Sequence, residues 1–146
     1  MEFDEWLESV PSEITNDSLW NVKAYQLALY VAELGWQDVT MLTTDKRMLG
    51  LSDQLYRALG SISANIAEGY SRSTGMDRAR FYEYALGSAR ESRDWYYKSR
   101  HKLGVEIINR RIELLSQIIR LLLVTIPKQR VANIRETKEV YGKYDD

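Results

Sequence analysis

Ser61-Ile62-Ser63-Ala64-Asn65-Ile66-Ala67-Glu68-Gly69-Tyr70 runs at helical spacing, yet it places Asn65, Glu68 and Gly69 inside an apolar row. Upstream, Leu51, Leu55, Ala58 and Leu59 set up the steps of three and four that Ile62, Ile66 and Tyr70 complete, so the segment reads as one amphipathic helix. Polar residues within such a row mark either a functional site or a demanding packing point. Asn65 and Glu68 share a face with Arg72, which permits a Glu68 to Arg72 ion pair and an amide bond to backbone. One reading is a buried polar network that fixes register between helices or protomers, and the other is a ligand site. The first is preferred, because a half-buried polar group is kept only when it is satisfied. Gly69 is expected to allow a close approach or a local bend.

Outward from this stretch, the same periodicity recurs three times. A first helix is expected from the capping residues Asn16-Asp17-Ser18 to Gly35, with Trp20, Ala24, Leu27, Ala28, Val31 and Leu34 on one stripe, followed by an irregular connector from Gln37 to Leu49. The third helix should span about Asp77 to Leu103, where Phe81, Ala85, Ser88, Ser92, Trp95, Ser99 and Leu103 form a small-sided seam, with Gly104 closing it. The fourth, from about Val105 to Ile126, is apolar beyond one bundle face and should stop at Pro127. Its surplus apolar surface points to a second copy, a fully buried place within the monomer being the competing explanation. Four such segments with almost no alternating apolar run predict an all-α, antiparallel up-down four-helix bundle over residues 18–127. An acidic N-terminal arm (1–17) precedes it and a charged C-terminal tail (128–146) follows.

The chain has 146 residues, 45% of them hydrophobic, which suits one core and one domain. It has no cysteine, so disulfides, thiolate metal sites and cysteine nucleophiles are excluded. Neither a secretory signal pattern nor an apolar run of membrane-spanning length is present, and a soluble, cytoplasmic protein is expected. The formal net charge of −1 conceals an asymmetry: residues 1–50 hold 3 basic and 9 acidic side chains, whereas residues 51–135 hold 15 and 8. Positive charge therefore gathers on the later helices, where it can attract phosphate.

The row from Leu51 through Tyr70, together with Phe81 and Ala85-Leu86-Gly87-Ser88, resembles the four-helix-bundle proteins encoded in 23S rRNA intervening sequences. That family includes the accessory variability determinant of diversity-generating retroelements. The shared signature has the form S-I-x-A-N-I-A-E-G, and the resemblance covers roughly Trp20 to Pro127. Ser63 stands where members often have Pro, which should leave the helix less kinked. Arg93, at the end of Gly87-Ser88-Ala89-Arg90-Glu91-Ser92-Arg93, stands where members often carry an acid, so the third helix is more basic than the family pattern. The resemblance implies a ring-shaped homo-oligomer, a pentamer, that binds nucleic acid and a reverse transcriptase through a basic surface.

Catalysis finds little material in the chain. His101 is the only histidine and sits among Lys98, Arg100 and Lys102, as at a solvated basic helix end. No Glu-x-x-His metal element and no phosphate-cradling glycine loop is present, so no enzyme activity, metal or cofactor is expected. The better candidate is the side of the third helix opposite its seam, where Tyr82, Leu86, Arg90, Arg93, Tyr97 and Arg100 cluster. Arg neutralises phosphate while Tyr stacks on an unpaired base, a pairing suited to RNA or an RNA–DNA hybrid. Arg78, Arg110 and Arg111 flank the same hairpin and extend the patch. The alternative is a purely structural or protein-interaction oligomer that uses Tyr and Arg on this face as anchors.

Overall fold

Helical periodicity carries the chain further than its glycines and prolines suggest. The computed structural model describes residues 1–142, with side chains described through Ala132. Two short helices, α1 (Phe3–Glu8) and α2 (Ser12–Thr15), lead to a 3-10 turn at Ser18–Asn21, where Asp17 Oδ1 accepts from the Leu19 N–H at 2.8 Å. The helix α3 (Lys23–Leu42) follows, then a second 3-10 turn at Lys46–Met48 and α4 (Leu49–Tyr70). The Thr74 hydroxyl caps α5 (Gly75–Lys98), and α6 (Arg100–Leu103) and α7 (Val105–Gly142) complete the chain. Gly104, between the last two, has φ +87°, a conformation that costs glycine little.

The four long helices pack in chain order, α3 on α4, α4 on α5 and α5 on α7, and α7 returns to α3 through the sparsest of these contacts. Val31, Leu42, Leu55, Leu59, Ile62, Ile66, Leu115, Ile118 and Leu122 are fully buried between them. Each such side chain stabilises the fold by about 1.5–3 kcal/mol. Among the described residues no helix is long and apolar enough to cross a membrane.

Three expectations are corrected. The first long helix does not end at Gly35, because Leu34, Val39 and Leu42 continue its buried stripe and Gly35 itself lies against Leu59. The irregular connector shrinks to residues 43–48. The seam of α5 is turned by one residue: Ala79, Tyr82, Ala85, Ala89, Ser92 and Tyr96 are buried, while Phe81 and Trp95 are only partly so. Two tyrosines draw it round. Tyr82 fits against Gly69, where an added Cβ would stand 2.9 Å from both Tyr82 Cε1 and Phe81 Cβ, and Tyr96 finds a buried partner described below. Lastly, α7 does not stop at Pro127. A proline inside a helix forfeits a hydrogen bond and costs about 3 kcal/mol. Packing offsets this: Ile126 is buried, Arg78 Nε donates to Gln129 Oε1 at 2.7 Å, and Arg130 pairs with Glu83 of α5. Residues 143–146 of the expected tail lie outside the described residues.

The acidic arm is docked. Trp6 is buried, and its ring lies 5.5 Å from Phe3, 5.4 Å from Tyr30 and 6.2 Å from Trp20, centroid to centroid. The Tyr30 hydroxyl donates to the Met1 carbonyl at 2.7 Å, and Lys23 Nζ sits 4.8 Å over the Phe3 ring. Leu114 of α7 packs on this cluster. Much of the apolar surplus read on the fourth helix is thereby covered within one chain by α5 and the arm, with Val105, Leu123, Val124 and Val131 left exposed.

One polar group sits deep between three helices. Asp38 of α3 is 4% exposed, and its Oδ2 accepts from the Tyr96 hydroxyl of α5 at 2.6 Å and from Arg111 Nε of α7 at 2.7 Å. Arg111 Nη2 donates to Oδ1 at 3.2 Å, completing a two-point pair. Burial works against the Arg111 charge, but the hydrogen bonds and charge of Asp38 hold its pKa above the usual value.

Arg111→Ala should cost about 3–5 kcal/mol in urea unfolding, because it strands a buried carboxylate. Tyr96→Phe should cost about 1–3 kcal/mol, since the pair survives. Burial, reinforced by Asp38, pushes the Tyr96 hydroxyl well above its ordinary value of 10.0. An unfolded chain releases that proton near pH 10 while the folded chain keeps it, so stability should fall as pH rises past about 10. The fall should be shallower in Tyr96→Phe, as alkaline urea titrations would register. Gly69→Ala, forced against the side chains of Phe81 and Tyr82, should lose about 1–3 kcal/mol.

Candidate nucleic-acid interface

On α5, arginines at positions 90 and 93 and a tyrosine at 97 are three and four residues apart, which sets them on one strip beside α7. With Asp94 and Ile112 they border an open groove of about 490 Å³. Tyr97 is 54% exposed, and the Arg100 guanidinium lies 4.2 Å above its ring. Arg100 also donates to the Tyr97 carbonyl at 3.1 Å, so the stacked pair is held before any ligand arrives. Arg93 is half-buried and donates to Ser116 of α7 at 3.2 Å, which aims it along the groove. Arg90 is exposed and has no hydrogen bond or ion pair among the described residues. Asp94 is paired with Lys98 at 2.7 Å, so its carboxylate subtracts little from the local positive charge.

The other arginines read from sequence lie elsewhere. Arg111 is enclosed by Asp38 and Tyr96 and offers no charge to a ligand, a correction the sequence could have supplied. Asp38 falls on the stripe Leu27, Val31, Leu34, Asp38, Leu42 once α3 is run past Gly35, and a carboxylate there needs a cationic partner. Arg110 faces the docked arm, 3.7 Å from Glu2 and 3.3 Å from Glu106. Arg78 lies at the far end of α5, where it donates to the Arg72 carbonyl as well as to Gln129. Tyr82 is 2% exposed and belongs to the core. The candidate strip reduces to Arg90, Arg93, Tyr97 and Arg100.

The signature residues also separate. Asn65 is half-buried and donates to the Ser61 carbonyl one turn back at 2.8 Å, within its own helix. Glu68 is exposed and pairs with Arg72, whose guanidinium lies 4.6 Å from the Phe81 ring centre. Neither forms a buried network between helices, and of the three only Gly69 is a packing point. The exposed pair shields Phe81, which Arg80 approaches from 5.4 Å. No group of three or more His, Asp or Glu side chains is placed to hold a metal ion among the described residues.

Comparison with protein families matches residues 20–124 to the 23S rRNA-intervening sequence proteins. Among solved structures, the chain is similar to a protein of unknown function from the S23 ribosomal protein family of Bacteroides thetaiotaomicron. The two share 22% identity and a TM-score of 0.66 over 70% of this chain and 97% of that one, a likeness of fold. No curated protein matches the chain. The matched span begins after the acidic arm and ends just before Pro127.

Proposed function

Because the chain belongs to the 23S rRNA-intervening sequence protein family, we propose that it is a non-enzymatic, oligomeric accessory factor that binds nucleic acid in the cytoplasm and serves a reverse transcriptase. The observation that carries this reading is the Tyr97–Arg100 stack beside Arg90 and Arg93 on an open groove. An exposed aromatic ring with a guanidinium already on one face offers the other face to an unpaired base, while the neighbouring arginines meet the phosphates on either side. Structured RNA supplies both features in its loops and bulges, and an RNA–DNA hybrid supplies the phosphates and, at its unpaired ends, the base.

In this reading the four helices form an antiparallel up-down bundle, and protomers close into a ring, a pentamer. One groove with three cations is a weak site. Repeated around a symmetric assembly it becomes multivalent, because a polyanion released from one protomer is still held by the next. The charge division along the chain favours this arrangement, since the acidic arm is seated on α3 and α7 and leaves the α5 strip uncovered.

Fluorescence anisotropy with an RNA hairpin and an RNA–DNA hybrid tests the proposal. Affinity should fall with salt at a logarithmic slope of about 0.7–0.9 per phosphate contacted, and R90A/R93A/R100A should flatten that slope by about 2–3. Tyr97→Ala should weaken binding by about 1–3 kcal/mol with the slope unchanged, which separates stacking from charge. Salt-independent binding, or a triple variant that binds like the parent, would refute the reading.

A further inference from the structure

Beside the seat of the acidic arm, the groove between α3 and α7 stays open. Lys23 and Leu27 of α3 and Gln117, Arg120, Leu121 and Val124 of α7 border a hollow of about 390 Å³. Leu27 is buried and makes the floor, Leu121 is half-buried, and Val124 is 57% exposed at the rim. Both charged residues of the hollow are cations. Arg120 is exposed and has no hydrogen bond or ion pair among the described residues. Lys23 is exposed too, with its Nζ over the Phe3 ring.

The surroundings keep that sign. From Ser18 to Ala32 the sequence has one charged residue, Lys23, and no acid. From Leu114 to Ala132 it again has no acid; of the cations there, Arg130 is drawn away to Glu83 of α5, while Lys128 is exposed one turn beyond Val124. A chain with 21 acidic residues thus brings together two stretches that have none. The adjoining part of the same groove holds an example of what such a lining accepts. There α1 packs Phe3, Trp6 and Leu7 near Trp20, Tyr30, Leu34 and Leu114 and leaves Asp4, Glu5 and Glu8 exposed, as an acidic amphipathic helix does. On α7 the hollow continues from that seat, with Gln117 and Leu121 one and two turns past Leu114.

We propose that this hollow is a docking site for an acidic amphipathic helix of another protein, which lays apolar side chains on Leu27, Leu121 and Val124 and meets Lys23, Arg120 and Lys128 with its carboxylates. The strip on α5 faces α7 elsewhere, across Ile112 and Ser116, so the docking site does not rest on the nucleic-acid reading. The floor decides against a phosphate backbone, which gains nothing from Leu27 and Val124, whereas a leucine or an aromatic side chain leaves water there. Charge decides against a second copy. Two chains meeting symmetrically through this hollow would set Lys23 and Arg120 against their own counterparts. From Gln117 to Val124 α7 runs about 10–12 Å, so two to three turns of a partner helix fill the site, a contact of the small, transient class.

Fluorescence anisotropy with the full chain and a labelled peptide of about twelve residues, leucine at spacings of three and four and glutamate elsewhere, tests the proposal. One control peptide keeps the leucines and has lysine for glutamate; a second keeps the composition and scatters the leucines around the helix. The first peptide should bind with an affinity that falls as salt rises, and both controls should bind at least about tenfold more weakly. Arg120→Glu should weaken the first peptide about fivefold to tenfold and Val124→Ser about fivefold. Both side chains are exposed, so helical circular dichroism should be unchanged, and R90A/R93A/R100A should bind the peptide like the parent. Equal binding of the three peptides, or an Arg120→Glu variant that binds like the parent, overturns the proposal. So does displacement of the peptide by an RNA hairpin, which gives the groove to nucleic acid, or loss of peptide binding as the protein is concentrated, which gives it to a second copy.

Discussion

A single buried carboxylate ties the structure together. Asp38 accepts from Tyr96 and Arg111, so one side chain fixes the register of α3, α5 and α7 at the same height. Apolar side chains alone would tolerate a slide of one helical turn, because leucine and isoleucine repeat along every stripe. A three-way contact among one acid, one phenol and one guanidinium has no second register that satisfies it. The remaining long helix, α4, needs no share in it. Gly69 on one side and Leu59 beneath Gly35 on the other set the spacing of α4 by contact.

Around this lock the four outer grooves of the molecule have different chemistry. The one between α7 and α3 is only partly covered by the acidic arm and stays open beside Leu27, Gln117 and Val124, the one between α4 and α5 is covered by ion pairs and by arginines lying on Phe81, and the one between α5 and α7 is basic and open. The groove between α3 and α4 carries the exposed rings of Trp36 and Tyr56.

Periodicity made the four helices, the all-α class and the turn at Gly104 legible from sequence, because apolar spacing survives any detail of packing. It misplaced what depends on individual side chains. Phe81 and Trp95 are as apolar as Tyr82 and Tyr96, so a hydrophobic projection could not tell that the tyrosines turn inward, one into space left by Gly69 and one toward Asp38. Arg111 looked like its neighbour Arg110 for a related reason. Helical projection gives a direction, whereas a buried charge is identified only by its partner, which here lies 73 residues away in the chain. Gly35 and Pro127 carried strong local stop signals, and in both places burial of the residues around them prevailed.

Gly104 has a bearing on the order in which the chain assembles. The short segment Ser99–Gly104 is all that separates α5 from α7, the pair with the most extensive mutual contact, so their hairpin closes at small entropic cost. The Asp38 to Arg111 contact encloses a far longer loop and costs more entropy to close, so it is expected to follow the hairpin that brings Arg111 and Tyr96 together. On this reasoning the lock is expected on the late side of the folding barrier. Its loss would be felt as faster unfolding, with little change in the rate at which the helices first gather.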